Sequence, residues 1–240
     1  MYDNQKKWQS KIYQKTLAKH AAEIENFLKK MNLFDIWSDC LQKYNVAKKL
    51  MPEMYIDAYT SVTLACFGFY KYAYMCLRSE LETALNLVFF SKHPVEFDWW
   101  LGDSDWYKEM TGGSHFWGKG YTYFIKLPNF RRFEKKCEEH LKLFGGKGNV
   151  GKEYQRLSEF IHSGASFFQT GPERVSPEYK VGKFKQWGSE WKNVQNYVNV
   201  ILAVEFEEDM KSMNIQNCEP IINLGVERRY RAILKGFLRI

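Results

Sequence analysis

An all-α bundle of about seven to nine helices, with one long apolar helix at its centre and two irregular connections, is the fold that this sequence predicts. Three observations lead there. Six prolines and sixteen glycines are few for 240 residues, and the long stretches between them lack the turn signals that many short strands would need. Apolar residues recur at helical spacing along most of the chain. A content of 45% hydrophobic and 17% aromatic residues supplies enough apolar surface for one domain, residues 1–240, to build its core without disulfides or metals.

Taken in order, residues 6–31 place Trp8, Ile12, Leu17, Ala21, Ile24, Phe27 and Leu28 on one side with lysines and glutamates between them, an amphipathic surface helix. A second helix over 33–50 should stop before Pro52, with that proline opening the next one. Residues 53–91 contain no proline and only Gly68 as a glycine. They are apolar nearly all round and predict the central helix, single or joined in two near Gly68. Residues 93–120 break the period and are dense in Trp, Gly and Asp, which predicts a long connection with a short helix at 104–110. Helical spacing returns over 130–144 and ends at Gly145-Gly146. A further helix is expected over 150–163, then an irregular stretch over 164–181 that contains Pro172 and Pro177. The long helix expected over 184–213 carries Trp187, Trp191, Val194, Tyr197, Val198, Ile201, Leu202 and Val204 inward. The last helix, 220–238, starts at a proline and ends basic, as its negative dipole end favours. There is no repeat and no linker, hence no internal boundary.

Charge and cysteines narrow the function classes. Lysine and arginine outnumber aspartate and glutamate by 35 to 28, a formal charge of +7, which would draw polyanions at low salt or else form a solvated surface. Cys40, Cys66, Cys76, Cys137 and Cys218 are odd in number and form no C-x-x-C pair. They read as buried thiols, neither a disulfide framework nor a zinc site. The polar N-terminus MYDNQKKWQSKIYQK lacks the apolar stretch of a secretory signal. The most apolar window, 61–77, is interrupted by Lys71 and is too short to span a membrane. A cytoplasmic protein without a membrane partner is therefore expected.

The segment YQRLSEFIHSGAS, residues 154–166, sets Arg156 before His162 near the end of a predicted helix. It resembles the HEPN superfamily of helical nucleotide-associated domains, many of which carry an arginine, four to six intervening residues and a histidine. A second likeness lies in CLRSELETALNLVFF, with Arg78, Glu80 and Glu82; Arg78 and Glu82 stand one turn apart and can pair. The resemblance implies metal-independent RNA cleavage by paired subunits, so no cofactor, with RNA or a nucleotide as partner and a homo-oligomer, first a dimer. It implies that Arg156 binds the scissile phosphate, that His162 is the general acid or base, and that Arg78, Glu80, Glu82 or Ser158 orients them. The chemistry is coherent, because an imidazole exchanges protons near neutral pH while a guanidinium steadies a pentacoordinate phosphate. The position after the arginine, polar in the commoner family pattern, is Leu157. Positions 156 and 162 also stand about 240° apart around a helix and roughly 9 Å along it, so only the long arginine could bring both heads together. Ser158 and His162 do share a face. The plainer reading makes His162 a helix C-terminal residue with Ser163-Gly164 as the stop.

Other constellations compete. Glu205, Glu208 and Asp209 of VEFEED share a helix face, and with Glu80 and Glu82 opposite they could hold Mg²⁺ for nucleotide hydrolysis. Solvated acids on an exposed face are the plainer explanation, since paired glutamates one turn apart on both helices are not present. GGKGNVGK, residues 145–152, lacks the Gly-Lys-Ser/Thr ending of a phosphate loop and has no strand before it. Phe97, Trp99, Trp100, Trp106, Tyr107, Phe116, Trp117, Tyr121 and Tyr123 could stack bases, or else anchor a long loop or an oligomer contact. His20, His93, His115 and His140 have no second ligand at metal spacing and read as structural. A non-enzymatic helical oligomer that binds a partner through basic and aromatic surface is the alternative function.

Overall fold

The computed structural model describes residues 2–102, 116–138, 149–161 and 179–239, and every regular element among them is helical. The expected helix at 104–110, most of the irregular stretch at 164–181, and Trp106, Tyr107, His115, His140, His162 and Gly145 to Gly148 lie outside the described residues.

Helix α1 (Tyr2–Met31) kinks at His20, whose φ of −133° leaves the helical region. The His20 ring is buried, stacks on Phe184 at 4.2 Å and lies 3.2 Å from the Tyr179 hydroxyl, a structural histidine in its geometry. Helix α2 (Leu33–Cys40) is followed by a turn and then α3 (Asn45–Cys66). Here the expectation of one helix over 33–50 ending before Pro52 is corrected. The break falls earlier, at Tyr44, whose extended backbone (φ −91°, ψ 120°) brings its ring to 5.2 Å from Phe206. Pro52 then lies inside α3. Losing one helix bond to a proline costs about 3 kcal/mol, but Leu50, Met51 and Met54 are buried around it and hold the turn closed.

Helix α4 (Tyr70–Lys92) folds back along α3, and their mutual contact is the most extensive among the described helices. The central segment is thus two helices divided at Gly68, which takes the left-handed conformation (φ 79°). The Gly68 amide donates to Ala65 at 3.0 Å and the Phe69 amide to Leu64 at 2.8 Å, the paired bonds of a Schellman stop. Buried between α3 and the other helices, α4 offers Ala73, Leu77, Leu81, Ala84, Leu85 and Val88 to the core.

Two short helices, α5 (Pro94–Gly102) and α6 (Phe116–Phe124), occupy ends of the stretch expected to be irregular. Their aromatic residues anchor them: Phe97 and Trp100 pack on Phe90 at 5.3 Å each, and Tyr123 packs on Phe89 at 5.1 Å. His93 donates from Nδ1 to the Phe89 carbonyl at 2.7 Å. Helices α7 (Pro128–Glu138) and α8 (Asn149–Ile161) follow, with α8 lying against α4.

The second central element is α9 (Val181–Glu205), in which Trp187, Trp191, Val194, Val198, Ile201 and Leu202 are buried as expected. It ends at Phe206, and α10 (Glu207–Ser212) starts anew. One straight helix would put Glu207 about 200° from Glu205; the break lets Glu205, Glu207 and Asp209 all turn inward. The last helix is likewise divided into α11 (Ile215–Pro220), a wide π turn (Ile221–Gly225) and α12 (Arg228–Leu238). Polar side chains of α9 cause this division. Asn196 Oδ1 accepts from the Glu227 amide at 2.8 Å, and Gly225 rests on Asn199.

Among the described residues no helix is long and apolar enough to cross a membrane. All five cysteines are free. Burial pushes the thiols of Cys66 and Cys76 up to about 11 and those of Cys40 and Cys137 up to about 12, so they stay protonated.

Candidate functional site

Helix α4 carries Arg78 and Glu82 one turn apart, and α8 brings Tyr154 between them. The Arg78 guanidinium donates from Nη2 to Glu82 Oε1 at 3.3 Å and to the Tyr154 hydroxyl, while Tyr154 donates to the same Glu82 oxygen at 2.5 Å. The guanidinium also lies over the Tyr154 ring, 4.6 Å from its centroid. Three side chains from two helices thus form one closed, charge-balanced cluster. Arg78 and Glu82 are 18% and 32% exposed, so solvent reaches the cluster from one side. Burial and the Glu82 carboxylate push the Tyr154 phenol up to about 12. Tyr154 is therefore a donor at neutral pH and no base.

Tyr154 opens the 154–166 motif, whose arginine-to-histidine spacing points to no role for it. The signal was present: Tyr154, Ser158 and His162 recur every four residues, a spacing that on a helix makes one stripe. Ser158, one turn after Tyr154, donates its hydroxyl to the Tyr154 carbonyl at 2.9 Å. The stacking of Tyr74 on Phe160, with centroids 3.9 Å apart, seats this end of α8 on α4. Leu157 is fully buried, which explains an apolar residue after the arginine.

Arg156 lies on the other flank of α8, about 200° round from Tyr154. Its Nη2 pairs with Glu153 Oε2 at 3.1 Å and with Glu190 of α9. The contacts of Arg156 and those of Arg78 are thus to different acids on opposite sides of α8. Glu80 also stands apart. It is fully buried, faces α9, and accepts from Gln195 Nε2 at 2.6 Å. Burial pushes its carboxyl well above the ordinary carboxylate value, which disfavours the charged form of this core acid.

The acids of VEFEED do not lie together on an exposed face. Only Glu208 is exposed. Buried Glu205 meets Lys92 at 3.2 Å, buried Glu207 meets Lys211 at 2.6 Å and Arg132, and buried Asp209 meets Lys43 at 2.5 Å and the Tyr44 hydroxyl at 3.0 Å. Each acid is matched by a cation, from α4, α7, α10 itself or the turn before α3, and Glu80 lies beside Gln195, ten positions and roughly 15 Å of helix from Glu205. Among the described residues no group of three or more His, Cys, Asp or Glu side chains could hold a metal ion.

No protein-family model, curated protein or solved structure matches the chain. The site therefore rests on its own geometry.

Proposed function

We propose that this chain is a HEPN-like nucleic-acid- or nucleotide-processing protein whose phosphate-handling face is the α4–α8 seam, with Arg78 as the guanidinium and His162 as the proton-exchanging group. The observation that carries this reading is the closed Arg78–Glu82–Tyr154 cluster, because a stacked and hydrogen-bonded guanidinium is held ready for a phosphate without paying to order it. His162 enters by its sequence register alone, four residues after Ser158 and eight after Tyr154. Arg156, the arginine of the local motif, serves chiefly to join α8 to α9. The excess positive charge of +7 favours a polyanionic substrate. The reaction needs no metal, and two copies line one cleft.

Degradation of a labelled single-stranded RNA tests it. Cleavage should survive EDTA, vanish in His162→Ala, and fall about 100-fold or more in Arg78→Ala. Activity that needs Mg²⁺, or that persists in His162→Ala, overturns the reading.

A second reading, a non-enzymatic oligomer that binds a partner, draws on the exposed Tyr55, Ile56, Tyr59, Tyr72 and Met75 of the α3–α4 hairpin. It predicts stable association without turnover.

A further inference from the structure

Glu153 and Glu190 face each other from α8 and α9, 5% and 3% exposed, and both pair with the single guanidinium of Arg156. One carboxylate oxygen, Glu153 Oε1, is buried with no hydrogen-bond partner within bonding distance among the described residues, and the neutral Asn193 amide is the nearby polar group that favours its charged form. Among the described residues, the other groups around Glu153 do not supply a second positive charge. They are Asn193 and Tyr197 of α9 and Tyr74 of α4, while Tyr121 of α6 lies beside Gly151. Asn193 donates to Glu190 Oε2 at 3.4 Å.

Two acids against one base leave one uncompensated negative charge in a buried seam, and such a charge is costly unless a proton neutralises it. We infer that Glu153, Glu190 and Arg156 form a proton-responsive clasp between α8 and α9, closed when Glu153 carries a proton and loosened when it does not. Independently of the count of charges, burial raises the Glu153 carboxyl to about 7 despite the opposing pull of Arg156. The sign follows from linkage. Between the ordinary carboxylate value of 4.5 and about 7 the folded chain holds a proton that the unfolded chain has released. The contribution of Glu153 to stability is therefore complete below that range and is lost as the pH rises through it. The clasp concerns Arg156, and it stands whether or not the α4–α8 seam handles RNA. Its consequence is that α8, which also carries Tyr154, is seated more firmly in mild acid.

Thermal unfolding of the wild type and of Glu153→Gln from pH 5 to pH 8.5 tests the inference, glutamine being the neutral isostere. The two midpoints should agree within a degree or so near pH 5, and the variant should lie about 5 °C or more above the wild type at pH 8.5. A difference that is the same at every pH overturns the clasp. Hydrogen exchange of the wild type supplies a test that needs no variant. After correction for intrinsic rates, protection of the amides of α8 relative to those of α4 should fall about tenfold or more from pH 6 to pH 8; an unchanged ratio overturns the inference as well.

Discussion

The Tyr154 hydroxyl donates to Glu82 across 2.5 Å, joining the middle of α8 to the middle of α4. Because Arg78 donates to both members, the bond is part of a ring and should be cooperative. Tyr154→Phe removes the hydroxyl and leaves the stacking on Arg78. We expect a loss of about 1–2 kcal/mol in urea unfolding. A double-mutant cycle with Glu82→Gln should show a coupling energy of about 1 kcal/mol; strict additivity would mean that the contact contributes nothing.

The buried Glu80 calls for a different substitution test. Burial disfavours its charged form, and it accepts from Gln195 at 2.6 Å, a place that a neutral amide also fits. Glu80→Gln should unfold within about 1 kcal/mol of the wild type near pH 4, whereas Glu80→Ala leaves a cavity and an unsatisfied Gln195 amide and should cost about 2–4 kcal/mol there. The folded-state value is raised, so the stabilising contribution is full below the ordinary carboxylate range and is lost toward alkaline pH. Urea midpoints of wild type and Glu80→Gln should thus diverge as the pH rises, in favour of glutamine. Parallel curves would show that Glu80 is ionised in the native core.

Helical period was enough to find the long elements, since α1, α9 and the α3–α4 pair each bury a stripe or more of apolar residues. What period does not reveal is where polar side chains interrupt a helix. Tyr44, Phe206 and Gly225 mark breaks made by tertiary partners, namely Asp209, Tyr44 and Asn199, which lie far along the chain. The aromatic ends of α5 and α6 escape the helical period for a related reason: composition rich in Trp and Gly masks short helices that gain a packing surface from Phe89, Phe90 and Phe130. At the site, the i, i+4 pairing of Arg78 with Glu82 was legible. The partners of Arg156 were half legible, because Glu153 is three residues away but Glu190 comes from another helix. Glu80 and Glu82 look alike in sequence, and only their opposite faces separate a core acid from a site acid.

Glu205 and Lys92 offer a test of the acidic segment. Glu205 is buried at the negative end of α9, whereas Lys92 is 44% exposed. Removing the lysine leaves an unpaired buried carboxylate, while neutralising the glutamate leaves a cation that water can solvate. Lys92→Met should therefore cost about 2–4 kcal/mol at pH 8 and Glu205→Gln no more than about 1 kcal/mol. Burial already raises the Glu205 carboxyl, against the pull of Lys92, so the Lys92→Met deficit should shrink as acid protonates Glu205. Mg²⁺ should leave the unfolding midpoint of the wild type unchanged, and a rise on adding Mg²⁺ would restore a metal role to these acids.

Gly225 and Asn199 make the sharpest packing prediction. A Cβ built on Gly225 would stand 2.6 Å from Asn199 Cγ, closer than packed atoms allow. Asn199 cannot easily yield, because it is buried, accepts from Trp37 Nε1 at 2.9 Å and donates to the Gln195 carbonyl at 2.7 Å. Gly225→Ala must either push the π turn outward or strip the indole of its acceptor, and should cost about 2–4 kcal/mol. Shortening the obstacle separates these outcomes. In an Asn199→Ser background the methyl has room, so the added cost of Gly225→Ala should fall below about 1 kcal/mol in urea unfolding. An equal cost in both backgrounds would show that the strain lies in the turn itself and not in its contact with α9.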